Sequence, residues 1–207
     1  LAGGVPGILF AVTSMLTIVG TSAAPLLTGL LVSEWDASKQ ELTTRLVRVL
    51  FPMTGLMVVS GWCLGIQNSH RRSFISYASA ALWSVTQIAL LLAWGPRADD
   101  LARLAWWLSW ATLAGALLQV AAQLPEVIRL SGPLRATLDH PAPGVRDTLR
   151  NFVPVVIAPG VVQLSGLVDI WLAAWLPDGA LAGLQYARYV FLLPIGLFGV
   201  SLAAGSL

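Results

Sequence analysis

Long runs without a charged residue dominate this chain. There are six of them, and short clusters of charge separate each run from the next. They cover residues 1–33, 49–70, 73–96, 104–125, 151–168 and 189–207. The hydrocarbon core of a bilayer is about 30 Å thick, so a helix rising about 1.5 Å per residue needs roughly 20 apolar residues to cross it. Most of the runs reach that length, which predicts an integral membrane protein.

The composition supports the same conclusion. Hydrophobic residues make up 57% of the chain and charged residues 11%, which leaves too little polar surface for a soluble globule of 207 residues. The net charge of +2 is too small to indicate a nucleic-acid partner. Cys63 lies within an apolar run, and as the single cysteine it can form no disulfide within the chain. We expect it to be a packed core thiol.

The runs predict an all-α, polytopic transmembrane helix bundle that forms a single transmembrane domain over residues 1–207. A proline-containing cytoplasmic linker is predicted at about 126–149. The predicted spans are about 5–32, 49–69, 73–95, 104–124, 150–176 and 181–207. Because the chain opens at Leu1 and stops inside an apolar run, we expect it to be an internal fragment of a larger, transporter-sized protein.

Two asymmetries predict how the spans are oriented. Arginines in the loop at 70–72 and in the 126–150 stretch weakly place that side in the cytoplasm. Seven of the nine tryptophans fall near the span ends on the opposite side, where their rings suit the headgroup level. They are Trp35, Trp94, Trp106, Trp107, Trp110, Trp171 and Trp175. On this predicted outer side, Ser38 and Glu41 match a capping box, and leucines at helical spacing predict an interfacial helix at 38–50.

Two charges lie inside the predicted fifth and sixth spans. Asp169 precedes the outer end of one, and Arg188 follows the start of the other, so each is predicted about 10 to 12 Å below the surface. An ionisable residue at depth is a functional candidate, with Gln185 and Tyr189 beside the arginine. The four side chains either line a wet cavity or include a structural ion pair. Because the sequence has no Walker, G-x-S-x-G, H-E-x-x-H or paired Cys/His motif, we do not expect an enzyme.

Three stretches of the sequence carry recognisable patterns. They are RVLFPMTGLMVVSGWCLGIQNSHRR, GALLQVAAQLPEVIRLSG and LQYARYVFLLPIGLFGVSLAAG. In the first, Arg48, Phe51 and Pro52 form an R-x-x-F-P pattern, and in the second, Gln119 and Gln123 belong to an L-Q-x-x-x-Q-L-P pattern. The third is similar to the pattern Y-A-D-R-L-x-x-x-P-x-G-x-F-G. In these patterns the chain resembles the MurJ/MviN lipid II flippases, within the superfamily of multidrug, oligosaccharidyl-lipid and polysaccharide exporters.

The resemblance implies about six spans of a roughly fourteen-helix bundle in the bacterial cytoplasmic membrane. It implies a monomeric transporter that moves the undecaprenyl-linked peptidoglycan precursor, lipid II, by alternating access among membrane lipids. Arg188 would bind the substrate diphosphate, and Asp169 would be its partner or a sodium ligand; no other cofactor is expected. The family has Asp then Arg where this chain has Arg188 then Tyr189. The displaced arginine leaves open an exporter of another lipid-linked oligosaccharide or of a drug, and a degenerate, non-transporting scaffold is a further alternative.

Overall fold

The computed structural model of the chain describes residues 5–71, 74–131, 160–177 and 179–194. All regular structure within these ranges is helical, which confirms the predicted all-α fold. The elements are α1 (Val5–Leu31), α2 (Ala37–Ser69), α3 (Phe74–Trp94), a 3₁₀ turn (Gly95–Arg97), α4 (Leu101–Ser131), α5 (Gly160–Ala173) and α6 (Ala180–Pro194). Within the described ranges, four helices, α1 to α4, are long and apolar enough to cross a membrane, and α5 is a shorter apolar helix.

Several predictions fall outside the described residues. These are most of the predicted cytoplasmic linker, the beginning of the predicted fifth span and the end of the sixth. The ranges concerned are 132–159 and 195–207.

Helix α4 lies between α2 and α3. Both α2 and α3 pack along it, while α2 and α3 touch each other only slightly, and α1 packs against α2. Gly115 lets α3 approach closely, because a Cβ placed on it would lie 2.9 Å from the Cα of Trp83 and 3.1 Å from its carbonyl oxygen. Small residues serve this purpose at helix interfaces in membranes, where close backbone approach is the main source of packing energy.

Helices α1 and α2 are antiparallel and joined by a short connection. The Oγ1 atoms of Thr28 and Thr44 are 2.6 Å apart near that connection. Further along, the ring of Phe51 fills the space where Gly20 has no side chain, and Gly55 lies opposite Thr17. These contacts fix the register of the first helix pair over several turns.

Residues 37–69 form one helix where the sequence predicted two elements. No glycine or proline interrupts residues 38–51, so nothing ends the helix at the predicted boundary near 49. The predicted capping box is wrong, because the helix begins after Asp36 without a side-chain cap. Gln40 instead holds the turn, since its Nε2 donates to the carbonyl oxygens of Ser33 at 3.0 Å and Trp35 at 2.9 Å. Glu41 pairs with Arg45 one turn later.

Helix α4 also runs past its predicted end at 124 and through Pro125 to Ser131. A proline inside a helix removes one backbone hydrogen bond, and neighbouring helices allow this inside a membrane protein. Glu126 and Val127 are buried directly after the proline. The helix therefore continues beyond the proline with packed residues in its next turn.

The connections 32–36, 95–100 and 174–177 lie at the same end of the bundle, which we call the tryptophan end. Near it, the rings of Trp106 and Trp110 meet edge to face with centroids 6.1 Å apart. Rings with an apolar body and one polar atom suit the level of lipid headgroups.

Candidate functional site

Helices α5 and α6 form a pair joined by a tight turn whose described residues are 174–177 and 179. Gly179 has a φ of 92°, a left-handed conformation that glycine adopts without the steric cost of a Cβ. The amide of Ala180 then donates to the carbonyl oxygen of Pro177 at 3.1 Å, and α6 begins. This turn reverses the chain and brings α6 back against α5.

The side chain of Arg188 lies against α5 at Gly166. Its Nη1 is 3.4 Å from the position that a Cβ on Gly166 would occupy. Arg188 is eight residues after Ala180, which places its backbone about 12 Å along α6 from the tryptophan end. The absent side chain at 166 therefore leaves room for a guanidinium group next to the α5 backbone.

Asp169 and Arg188 lie at similar distances along their helices from the connection between α5 and α6. Asp169 is eight residues before Pro177, and Arg188 is eight residues after Ala180. The amides of Ala174, Trp175 and Leu176 still donate to carbonyl oxygens three or four residues earlier, so the helical winding continues beyond Ala173. The described residues include no ion pair between Asp169 and Arg188.

The other predicted site residues lie around this contact. Gln185 is half-buried and Tyr189 is exposed, as are Asp169 and Arg188. Gln185 and Arg188 are three residues apart on α6 and so share a face, with Tyr189 next to it. In the part of the chain that the structure describes, no group of three or more His, Cys, Asp or Glu residues could hold a metal ion around Asp169.

The end of α5 also meets the connection between α1 and α2. A cavity of about 340 Å³ lies between them, lined on one side by Trp35 and Lys39 and on the other by Trp175. The Nζ atom of Lys39 is 4.4 Å from the centroid of the Trp35 ring, a cation–π contact. The α5–α6 pair is thereby placed beside the first helix pair at the tryptophan end.

A seam of polar side chains between α2, α3 and α4 was not predicted as a unit. The Nε2 of Gln119 donates to the Oγ of Ser60 at 2.9 Å, and the Nε2 of Gln123 donates to the Oγ of Ser79 at 2.9 Å. Gln67 is fully buried beside them, and its Nε2 is 3.4 Å from the carbonyl oxygen of Gln123. We call these five residues the polar seam.

The polar seam carries a cost in an apolar environment. The Oε1 atoms of Gln119 and Gln123 are buried and accept no hydrogen bond from the described residues. A buried unsatisfied polar atom costs about 1–3 kcal/mol. The spacing of Gln119, Gln123 and Glu126 could have revealed the seam, because residues at this spacing lie on one face of a helix. Glu126 is also buried, at 6% exposure.

These features define a multi-pass α-helical membrane protein that carries charged and amide groups within its helices. The family model for the lipid II flippase MurJ matches residues 1–207, the whole chain. The chain therefore belongs to the MurJ lipid II flippase family. Its membrane-length helices and this family place it in the bacterial cytoplasmic membrane.

Individual relatives agree with the family model. The chain is 32% identical over 199 residues to a probable lipid II flippase MurJ of Rhizobium tropici, covering 94% of this chain. It is 29% identical over 203 residues to one of Rhizobium meliloti strain 1021, covering 95% of this chain. It is 29% identical over 198 residues to the lipid II flippase MurJ of Burkholderia cenocepacia, covering 91%. In each case the match spans 37% of the relative's own length.

Proposed function

We propose that this chain forms six consecutive helices of a flippase that moves lipid II across the cytoplasmic membrane by alternating access. The family match over the whole chain and the names of its relatives support the proposal. The transported molecule is a lipid-linked diphosphate, and the protein acts as a monomeric transporter among membrane lipids rather than as an enzyme.

The observation that carries the proposal is the position of Arg188. Its guanidinium group lies beside Gly166, within an apolar helix pair, and has no ion-pair partner among the described residues. A charge at such depth in a membrane costs several kcal/mol unless it faces water or an opposite charge. Arginine donates to phosphate oxygens with a planar pair of N–H groups, so a diphosphate would be a fitting partner.

The neighbouring residues have secondary roles in this proposal. Gln185 and Tyr189 would offer hydrogen bonds to the headgroup from the same part of α6. Asp169, on α5, would attract the guanidinium when the cavity is empty or contribute one oxygen ligand to a sodium ion. Dependence of transport on external sodium, lost in Asp169→Asn, would favour the sodium role.

The test is complementation by the full-length protein in a bacterium depleted of its own flippase. We expect Arg188→Ala to abolish growth while the protein still inserts into the membrane, and Asp169→Asn to reduce growth less. Arg45→Ala is the control, because this exposed arginine forms only a surface pair with Glu41. Normal growth with Arg188→Ala would contradict the role of this arginine.

A charge swap separates the cavity role from a structural one. If Arg188 binds the diphosphate, exchanging it with Asp169 moves the positive charge to another helix and should stop transport. If the two residues serve only to stabilise each other, the exchanged protein should transport at near the wild-type rate, which would defeat the proposal.

The displaced arginine favours a second candidate, an exporter of another lipid-linked oligosaccharide. One residue of displacement turns a side chain by about 100° around the helix, so the position of the bound diphosphate would differ from that of the family. Transport of purified lipid II into vesicles would distinguish the two, since the second candidate predicts no lipid II movement but transport of another undecaprenyl-linked sugar. A scaffold would transport neither.

A further inference from the structure

A second cavity lies at the tryptophan end, away from the α5–α6 pair. It has a volume of about 480 Å³ and sits where α3 passes through the 3₁₀ turn Gly95–Arg97 into α4. Cavities that bind small ligands in proteins fall in the range of about 300–1,000 Å³. Its size is therefore sufficient for a lipid headgroup.

The charged groups around this cavity are balanced in sign. Arg97 and Arg103 line it together with Asp99 and Asp100. Over the described ranges, neither arginine forms an ion pair, and only Arg97 has a hydrogen bond, which its Nη1 donates to the carbonyl oxygen of Ala93 at 2.8 Å.

The two carboxylates of the cavity differ in what they already bind. Asp100 caps α4, because its Oδ1 accepts a hydrogen bond from the amide of Ala102 at 2.9 Å. Asp99 is exposed and makes no such contact with the described residues. Two guanidinium groups and one carboxylate are thus available to a ligand.

The rest of the lining is apolar and aromatic. Trp94 and Trp107 border the cavity and are 61% and 51% exposed, so their rings are open to a ligand. Leu90 and Leu104 line it further along the two helices, on the membrane side of the charges. Tryptophan rings favour the headgroup level of a bilayer, where an amphipathic ligand would have its polar part among the charges and its chains along the leucines.

We propose that this cavity binds a zwitterionic phospholipid with a primary ammonium headgroup, such as phosphatidylethanolamine. Its phosphate accepts hydrogen bonds from Arg97 and Arg103, as guanidinium groups donate to phosphate oxygens. Its ammonium group donates to Asp99 and lies near the faces of the tryptophans.

Other phospholipids match the cavity less well. An anionic headgroup lacks a cation for Asp99, and a choline headgroup has no N–H to donate to that carboxylate. The proposal depends on the charges of this cavity and not on the transported substrate.

The test uses native mass spectrometry of the full-length protein in detergent. Phosphatidylethanolamine, phosphatidylglycerol and phosphatidylcholine with identical acyl chains are added separately, and bound lipid is counted. We expect the wild-type protein to retain phosphatidylethanolamine most tightly. Arg103→Gln should weaken that binding by about tenfold, since it removes a hydrogen bond to a charged group. Asp99→Asn should abolish the preference for phosphatidylethanolamine over the other two lipids.

Arg48→Gln is the matched control, because Arg48 is an exposed arginine on α2 that does not line this cavity. It should leave lipid binding unchanged. Equal binding of all three lipids, tightest binding of phosphatidylglycerol, or the same loss in Arg48→Gln as in Arg103→Gln would overturn the proposal. Failure of the wild-type protein to retain any lipid would also overturn it, since another part of the protein would then cover the cavity. If Arg103→Gln fails to fold by gel filtration, the exposed Asp99→Asn variant decides the question.

Discussion

Substitution of Gly115 by alanine should separate α3 from α4. The new Cβ would lie 2.9 Å from the Cα of Trp83, closer than carbon atoms approach without a shift. Two of the three nearest atoms, this Cα and the carbonyl oxygen of Trp83, belong to the backbone, so no change of rotamer relieves the contact. Overpacking of this kind costs about 1–3 kcal/mol. A shorter side chain at residue 83 would not rescue the variant, because both backbone atoms would remain.

Unfolding of the purified full-length protein by a denaturing detergent measures the effect. Gly61→Ala is the control, since a Cβ on Gly61 meets nothing within 4 Å. Alanine there should stabilise α2 by roughly 0.5–1 kcal/mol, because glycine loses more backbone freedom on folding. Gly115→Ala should therefore lower the free energy of unfolding, and Gly61→Ala should raise it. If Gly115→Ala were no less stable than Gly61→Ala, the close approach of α3 and α4 at this glycine would be refuted.

Three further predictions concern other parts of the chain. Ser60→Ala should destabilise the protein by about 1–3 kcal/mol, because it leaves the buried Nε2 of Gln119 without its acceptor. The double variant with Gln119→Leu should recover most of that loss in the same unfolding assay. If the double variant instead lost the sum of the two single losses in free energy of unfolding, this expectation would be contradicted. Cysteine in place of Asp99 should react with impermeant reagents only from outside, and cysteine in place of Asp139 only from the cytoplasm; reversed labelling would contradict the predicted orientation. Glu41→Gln should change the free energy of unfolding by less than about 0.5 kcal/mol, because the ion pair of Glu41 with Arg45 is exposed. A loss above about 1 kcal/mol would contradict this expectation.

The existence of the helices could be predicted from the sequence because bilayer thickness sets a minimum apolar length. Their ends could be predicted less well. Helix α4 continues past Pro125 with Glu126 and Val127 buried, and no local sequence rule contains that burial. The Ser38 and Glu41 capping pattern matched in spacing, yet the side chain of Gln40 holds the turn instead.

The candidate site could be proposed from the sequence, but the contacts of its residues could not be predicted. Charge within an apolar run singled out Asp169 and Arg188. Counting from the predicted span ends placed them level, which would permit a pair, but the described residues include no ion pair between them. The polar seam was missed because glutamine and serine are common in membrane helices, and only the folded structure shows that Gln119 and Ser60 meet.

The position of α4 between α2 and α3 determines how mutations on these three helices combine. Helices α2 and α3 each pack along α4 but touch each other only slightly, so changes on their outer faces share few partners. Effects of such distant changes on the free energy of unfolding usually add to within about 0.3–0.5 kcal/mol. Gln119 instead contacts Ser60 on α2, and Gln123 contacts Ser79 on α3. A change at either glutamine should therefore be epistatic with changes on the helix that it contacts. During evolution α2 and α3 could then vary almost independently, while the sequence of α4 must remain compatible with both.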